Sequence, residues 1–151
     1  MASQNQPPQR PALSHLKPYI PGKSVDEAKE KAAVSSIIKI ASNENPLGPS
    51  PAGMVALQKA AADSAVYPDQ NATALRQALA AKYDVGDGEV IIGNGSDEIM
   101  LLLAQAFLSA GDEVVISENT FSVYEHVTRL MDGIPTFVPL KDSVYDLDAM
   151  T

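Results

Sequence analysis

The stretch Val90-Ile-Ile-Gly-Asn-Gly-Ser-Asp-Glu98, running into Ile99-Met-Leu-Leu-Leu-Ala-Gln-Ala-Phe-Leu108, restricts this chain more than any other part of it. Val90, Ile91 and Ile92 are β-branched and apolar, and they read as a short buried strand. Gly93 and Gly95 then allow a sharp turn and a close approach of the backbone to a ligand. Ser96 or Gly95 can cap the next helix, with Asp97 and Glu98 in its first turn. A helix that opens directly after a strand points unpaired N–H groups outward, and such groups attract anions. Two readings fit these residues: a phosphate cradle, or an ordinary strand-to-helix turn in which Asp97 caps its own helix.

Strand and helix patterns alternate from this turn onward. Glu113–Ser117 reads as strand, Ser122–Met131 as helix and Thr136–Pro139 as strand, after a helix over Asp97–Leu108 whose Ile99, Leu102, Leu103, Ala106 and Phe107 recur at helical spacing. Alternation at this interval predicts an α/β fold with a mostly parallel sheet covered by helices. Upstream, Ile37–Ile40 reads as a further short strand. The segment Ala41–Pro51 holds three prolines and a glycine and admits no regular structure. Ser50 caps a helix with Pro51 at its first position. Another helix begins at Asn71 or Thr73 and carries Leu75, Leu79 and Tyr83 at roughly helical spacing. Residues 1–35 divide into a Gln- and Pro-rich leader and an irregular arm with a short polar helix over Val25–Val34, capped by Ser24. Asp146 or Asp148 caps a helical turn near Thr151, and too few strands precede it to close a sheet. The chain is therefore expected to be the N-terminal part of a longer protein.

Composition narrows the functional classes. A net charge of −8 over 151 residues argues against nucleic acid and anionic membrane surfaces as partners. There is no cysteine, hence no disulfide framework and no thiolate metal site, and a reducing cytoplasm fits. No apolar run reaches membrane-spanning length.

The glycine turn fails as a dinucleotide fingerprint, because Glu98 stands where a third glycine is required, and no lysine comes after it to make a Walker sequence. A compact phosphate suits it better than a pyrophosphate. Thr120-Phe-Ser-Val-Tyr124 comes after the next strand, and ligands of open α/β sheets bind outside the carboxyl ends of strands. Phe121 can lie against a flat ring, or simply cover a loop as a core aromatic. Tyr19 and Tyr67 sit in Pro-containing irregular segments, where tyrosines contact ligands, partner chains or their own core. His15 and His126 are isolated from one another and from plausible ligands, which points to solvated histidines.

Four segments together resemble a known family. Ala41-Ser-Asn-Glu-Asn-Pro-Leu-Gly-Pro-Ser-Pro51, Tyr67-Pro-Asp69, Ile92-Gly-Asn-Gly-Ser-Asp-Glu98 and Thr120-Phe-Ser-Val-Tyr124 resemble, in order and spacing, the motifs of histidinol-phosphate aminotransferases, which are fold-type I pyridoxal-phosphate enzymes. The resemblance covers about residues 13–151, with the start of an aminotransferase class I/II domain over 36–151. It implies that Gly95, Ser96 and Asp97 hold the phosphate of pyridoxal 5′-phosphate, largely through backbone N–H groups. It implies that Phe121 stacks on the pyridine ring; many relatives have Tyr there, and Phe keeps the stacking without the hydroxyl. By the same resemblance Tyr67 reaches the cofactor phosphate of the other subunit of a homodimer. Tyr19 helps bind the phosphate of the substrate, and the Asn43–Pro46 segment lies near that substrate at the mouth of the site.

The implied activity is the exchange of an amino group between histidinol phosphate and 2-oxoglutarate, giving imidazole-acetol phosphate and glutamate, in the cytoplasm. That chemistry needs a Schiff-base lysine, an acidic partner for the pyridine nitrogen and phosphate-binding arginines. The family takes these from later sequence, and Lys141, in its Pro-Leu-Lys-Asp-Ser setting, resembles a linker of the family instead. The chain alone is expected not to catalyse transamination. The rival readings are a relative with the same motifs, such as threonine-phosphate decarboxylase or an aromatic aminotransferase, and a non-catalytic fragment that binds phosphate or a partner subunit. A nicotinamide-binding domain is disfavoured by the missing third glycine.

Overall fold

The computed structural model describes residues 8–16, 18, 22–32 and 34–151. They form two compact units, one built from residues up to 17 together with 71–151, the other from 18–70.

The 18–70 unit contains helices α1 (Val25–Ala32) and α2 (Pro51–Ala60), with a 3-10 turn at Ala61–Asp63. Both helices begin where their caps dictate. The Glu27 N–H donates to Ser24 Oγ at 3.1 Å and the Gly53 N–H to Ser50 Oγ at 3.4 Å, with Pro51 at the first helical position. The apolar residues of α2, Met54, Val55 and Leu57, are exposed. Ile37–Ile40, expected as a strand, forms none. A strand is stabilised by its pairing, and no strand of this unit faces it among the described residues; Ile40 is 94% exposed.

The other unit carries the α/β pattern. Helices α3 (Thr73–Tyr83) and α4 (Gly95–Phe107) lead into strand β1 (Glu113–Ser117), helix α5 (Val123–Leu130) and strand β2 (Ile134–Val138). β1 and β2 pair in parallel, from Glu113 opposite Ile134 to Ser117 opposite Val138. The strand–helix–strand alternation in the sequence thus produces the parallel pair it predicts. α5 packs on both strands, on α4 and on the 3-10 turn Pro11–His15. Among the described residues of the unit, Ala12, Ala80, Ala104, Ile116, Val127 and Val138 are the buried apolar ones. Thr128 is the most deeply buried large side chain, and its hydroxyl donates to the Tyr124 carbonyl one turn back at 2.7 Å. At the opposite end of α5 the Ile134 N–H donates to Asp112 O at 2.8 Å and the Gly111 N–H to Asp132 O at 2.9 Å. These two bonds tie the turn entering β1 to the turn entering β2.

Three expectations change. Val90–Ile92 is not a buried strand of the sheet: it pairs with nothing among the described residues, and Ile91 is exposed. Apolar, β-branched composition marks an extended segment but does not supply its partner. The covered face of α4 is only in part the one expected. Ala104 is buried, with Ile99, Met100, Leu101 and Leu108 half-buried, whereas Leu102, Leu103, Ala106 and Phe107 are exposed. With apolar residues at nearly every position of Ile99–Leu103, periodicity could not choose between adjacent stripes. Finally, Pro139–Ser143 is more than a linker. Leu140–Lys141 (β3) and Val144–Tyr145 (β4) pair antiparallel, and Asp142 and Ser143 both have positive φ, as a two-residue hairpin turn of matching twist requires. Beyond it Asp146 Oδ1 accepts from the Ala149 N–H at 3.1 Å, the cap expected there.

Gly133 closes the turn between α5 and β2. A Cβ at this position meets Asp112 O, Thr128 O and Thr128 Cγ2, each at 3.1 Å, and two of these atoms are backbone. Gly133→Ala is expected to destabilise the unit by about 1–3 kcal/mol. Urea denaturation followed through the β1–β2 amides measures it; an unchanged midpoint contradicts the assigned crowding.

Candidate functional site

The turn before α4 is shaped by backbone bonds as much as by glycine. Asn94 is the N-cap residue, in place of the expected Ser96 or Gly95, and its side chain makes no capping bond. Its φ and ψ of −80° and 70° form a tight three-residue turn, closed by the Gly95 N–H donating to Gly93 O at 3.0 Å. Gly95 has φ of +80° with open space around its α-carbon, so conformation and not crowding demands glycine here. At Gly93 the reverse holds: a Cβ falls 2.8 Å from Ile99 Cδ1 and 3.2 Å from Glu98 Oε2.

Glu98 turns back to accept the Asn94 N–H, satisfying one donor of the helix start. The Gly95 N–H is taken by Gly93 O, which leaves the outward donors of the first turn to Ser96 and Asp97. Both residues are exposed. The α4 macrodipole adds its positive end at the same place. Glu98 is a residue whose role sequence reasoning missed; the signal was an acid four residues after the cap, one beyond the usual capping-box spacing.

The second component lies beyond β1. Ser117, at the carboxyl end of this strand, is buried, and its Oγ has no hydrogen-bond partner among the described residues. It lines a cavity of about 340 Å³ together with Thr120, Tyr124, Tyr145, Leu147 and Met150. Phe121 lies between this strand end and α5 and is half exposed. Its ring meets that of Tyr124 nearly at right angles, with centroids 6.4 Å apart. The expected placement beyond a strand's carboxyl end therefore holds for Thr120–Tyr124. It does not extend to the glycine turn, whose preceding segment is unpaired.

Gly95, Ser96, Asp97 and Phe121 all belong to the unit of β1 and β2, where α4 and α5 pack together. Asn43 and Tyr67 belong to the 18–70 unit. Asn43 is exposed and has φ of +51°, next to Ser42 at +69°. The turn continues with the Leu47 N–H donating to Asn45 Oδ1 at 3.0 Å. Tyr67 is 98% exposed. Tyr19 lies outside the described residues, as does the side chain of His15; His126 is exposed on α5. Among the described residues no helix is long and apolar enough to cross a membrane.

Comparison with known proteins adds to this geometry. The sequence model of the family "Aminotransferase class I and II" matches residues 35–151. The histidinol-phosphate aminotransferase of Moorella thermoacetica is 46% identical over 141 residues, 93% of this chain and 36% of that protein. The one from Caldicellulosiruptor saccharolyticus is 42% identical over 139 residues, 92% of this chain and 39% of that protein. The chain thus spans well under half the length of these curated relatives. Among solved structures, the histidinol-phosphate aminotransferase of Sinorhizobium meliloti in complex with pyridoxal-5′-phosphate superposes with a TM-score of 0.79. It does so at 25% identity, over 93% of this chain and 37% of that one. A second, described as a putative histidinol-phosphate aminotransferase from Erwinia carotovora atroseptica, gives 0.70 at 28% identity over 74% of this chain and 32% of that one.

The fold is therefore a partial α/β domain of the fold-type I pyridoxal-phosphate aminotransferases. The chain belongs to the aminotransferase class I and II family, among homologues of histidinol-phosphate aminotransferases.

Gly95 offers a direct test of the turn. Gly95→Ala forces a side chain into positive φ and is expected to cost about 1–2 kcal/mol of stability. The thermal or urea midpoint of the variant checks this, and a neutral substitution contradicts the strained geometry assigned to the turn.

Proposed function

We propose that this chain supplies the cofactor-phosphate cradle and ring-stacking face of a histidinol-phosphate aminotransferase. The observation that carries the reading is the start of α4. A positive-φ glycine, a helix start with Asn94 satisfied by Glu98, and outward Ser96 and Asp97 N–H groups make a compact monoanion or dianion site. These residues fit the phosphate of pyridoxal 5′-phosphate. Gly95 shapes the turn, Ser96 and Asp97 donate from the backbone, and the half-exposed Phe121 offers a flat face to the pyridine ring.

When bound, pyridoxal phosphate supplies an electron sink through which an amino group can be exchanged between histidinol phosphate and 2-oxoglutarate. The contribution of this chain is to bind and orient. The α4 terminus fixes the phosphate end and Phe121 limits the tilt of the ring. Asn43 and Tyr19 attend the substrate, and Tyr67 reaches across a homodimer to the cofactor phosphate of the other subunit. The chain lacks the family's Schiff-base lysine segment and is inactive alone. These assignments rest on the family motifs, and the cytoplasm is the compartment they suit.

Pyridoxine 5′-phosphate tests the cradle, because it keeps ring and phosphate but has no aldehyde to react with surface lysines. Titration into the labelled chain should shift the Ser96 and Asp97 amides and the Phe121 ring. Phe121→Ala should weaken binding by about 1 kcal/mol, or roughly fivefold. Shifts that avoid the start of α4 sink the phosphate assignment, and an unchanged affinity in Phe121→Ala sinks the stacking role. An assay of the chain with histidinol phosphate, 2-oxoglutarate and pyridoxal phosphate should show no turnover; turnover overturns the inactivity. Tyr67→Phe should affect only a dimeric protein, so an equal loss in a monomer contradicts the cross-subunit role.

A further inference from the structure

We propose that Tyr124 is a positioning residue that sets the plane of the Phe121 ring, and through it the tilt of the flat ring that Phe121 stacks. This rests on the stacking role given to Phe121 above. Phe121 precedes α5 and is half exposed, so its backbone position alone does not fix its side-chain torsions. The backbone of Tyr124, by contrast, is held. It sits in the first turn of α5, its N–H donates to Phe121 O at 3.3 Å, and its carbonyl accepts from the buried Thr128 hydroxyl. Its side chain borders two recesses. One is the cavity at the carboxyl end of β1, with Ser117 and Thr120, and the other is an apolar groove with Val114 and Val127.

The two rings meet at 81° with centroids 6.4 Å apart, within the low-energy edge-to-face range. A half-buried ring on the first turn of α5 thus meets, edge to face, one at the edge of the proposed site. The contact is between rings, so the tyrosine hydroxyl is not required. The spacing of three residues, with Phe121 before the helix and Tyr124 in its first turn, is what lets them meet.

The experiment uses the full chain with 13C-labelled aromatic residues. Relaxation of the Phe121 ring is measured without ligand, and pyridoxine 5′-phosphate is then titrated. In the parent chain the Phe121 ring should be as ordered as that of Tyr124; a freely rotating Phe121 overturns the proposal without any variant. Tyr124→Leu should mobilise Phe121 and weaken the ligand about 2- to 5-fold, no more than Phe121→Ala does. Tyr124→Phe should restore both, a rescue that loss of general stability does not predict. Tyr124→Met, with similar reach and no ring edge, replaces the Leu variant if that one does not fold. An unchanged Phe121 order in Leu or Met overturns the positioning role, while Phe121→Ala still binding more weakly leaves the stacking role standing. A Phe121→Ala variant that binds as tightly as the parent removes the stacking role and this proposal with it.

Discussion

The parallel pairing of β1 with β2 is the constraint on which the rest of the larger unit depends. A parallel pair cannot close through a two-residue turn, so the chain must cross over, and α5 is that crossover. The crossover fixes where α5 begins, and Phe121 and Tyr124 are placed by that beginning. At the other end, Asp112 accepting from Ile134 and Asp132 accepting from Gly111 lock the two strand entries together. Gly133 is small because the backbone of Asp112 and Thr128 occupies the space a side chain would take. The position of Phe121 at one end of the crossover is thus coupled to a glycine at the other.

The core that supports this arrangement is small. Its buried apolar residues among those described are three alanines, one isoleucine and two valines. Burial of such side chains contributes roughly 1.5–3 kcal/mol for a valine or isoleucine and less for alanine. Ile38, Ile40, Leu47 and Phe107 meanwhile stay largely exposed. Much of the apolar surface is thus uncovered, and the chain spans well under half the length of the curated relatives it matches.

How much of this was legible in the sequence differs by feature. Caps were legible because they are local: Ser24, Ser50 and Asp146 each hold an N–H three residues on. The β1–α5–β2 unit was legible because its period changes from strand to helix and back. The cap of α4 was misread because Asn94 begins the helix by its backbone shape, with no side-chain bond, while Glu98 acts from an unusual distance. Val90–Ile92 and Ile37–Ile40 were misread as paired strands because composition encodes extension and not a partner. The hairpin at Asp142 and Ser143 was missed because Ser143 stands where such turns favour glycine. Of the candidate site residues, Gly95, Ser96, Asp97 and Phe121 fall in one unit, and that grouping follows from the alternation. The contact of Tyr124 with Phe121 depends on rotamers, which no spacing rule reports.

The magnitudes available to the α4 terminus and Phe121 limit what the proposed site can do with a cofactor. Two backbone donors to a charged phosphate contribute about 1.5–3 kcal/mol each, and one stacked ring about 1 kcal/mol. Association itself costs at least about 4 kcal/mol in lost freedom at the standard state. The remainder corresponds to millimolar binding or weaker, since a dissociation constant of about 1 mM needs about 4 kcal/mol. The half-exposed Phe121 and exposed Ser96 and Asp97 place these contacts in water, which weakens them further. The proposed site is thus suited to setting geometry, with tight retention left to ligand contacts beyond these. A dissociation constant for pyridoxine 5′-phosphate in the micromolar range, measured on this chain, is incompatible with that division of labour and would require further ligand contacts.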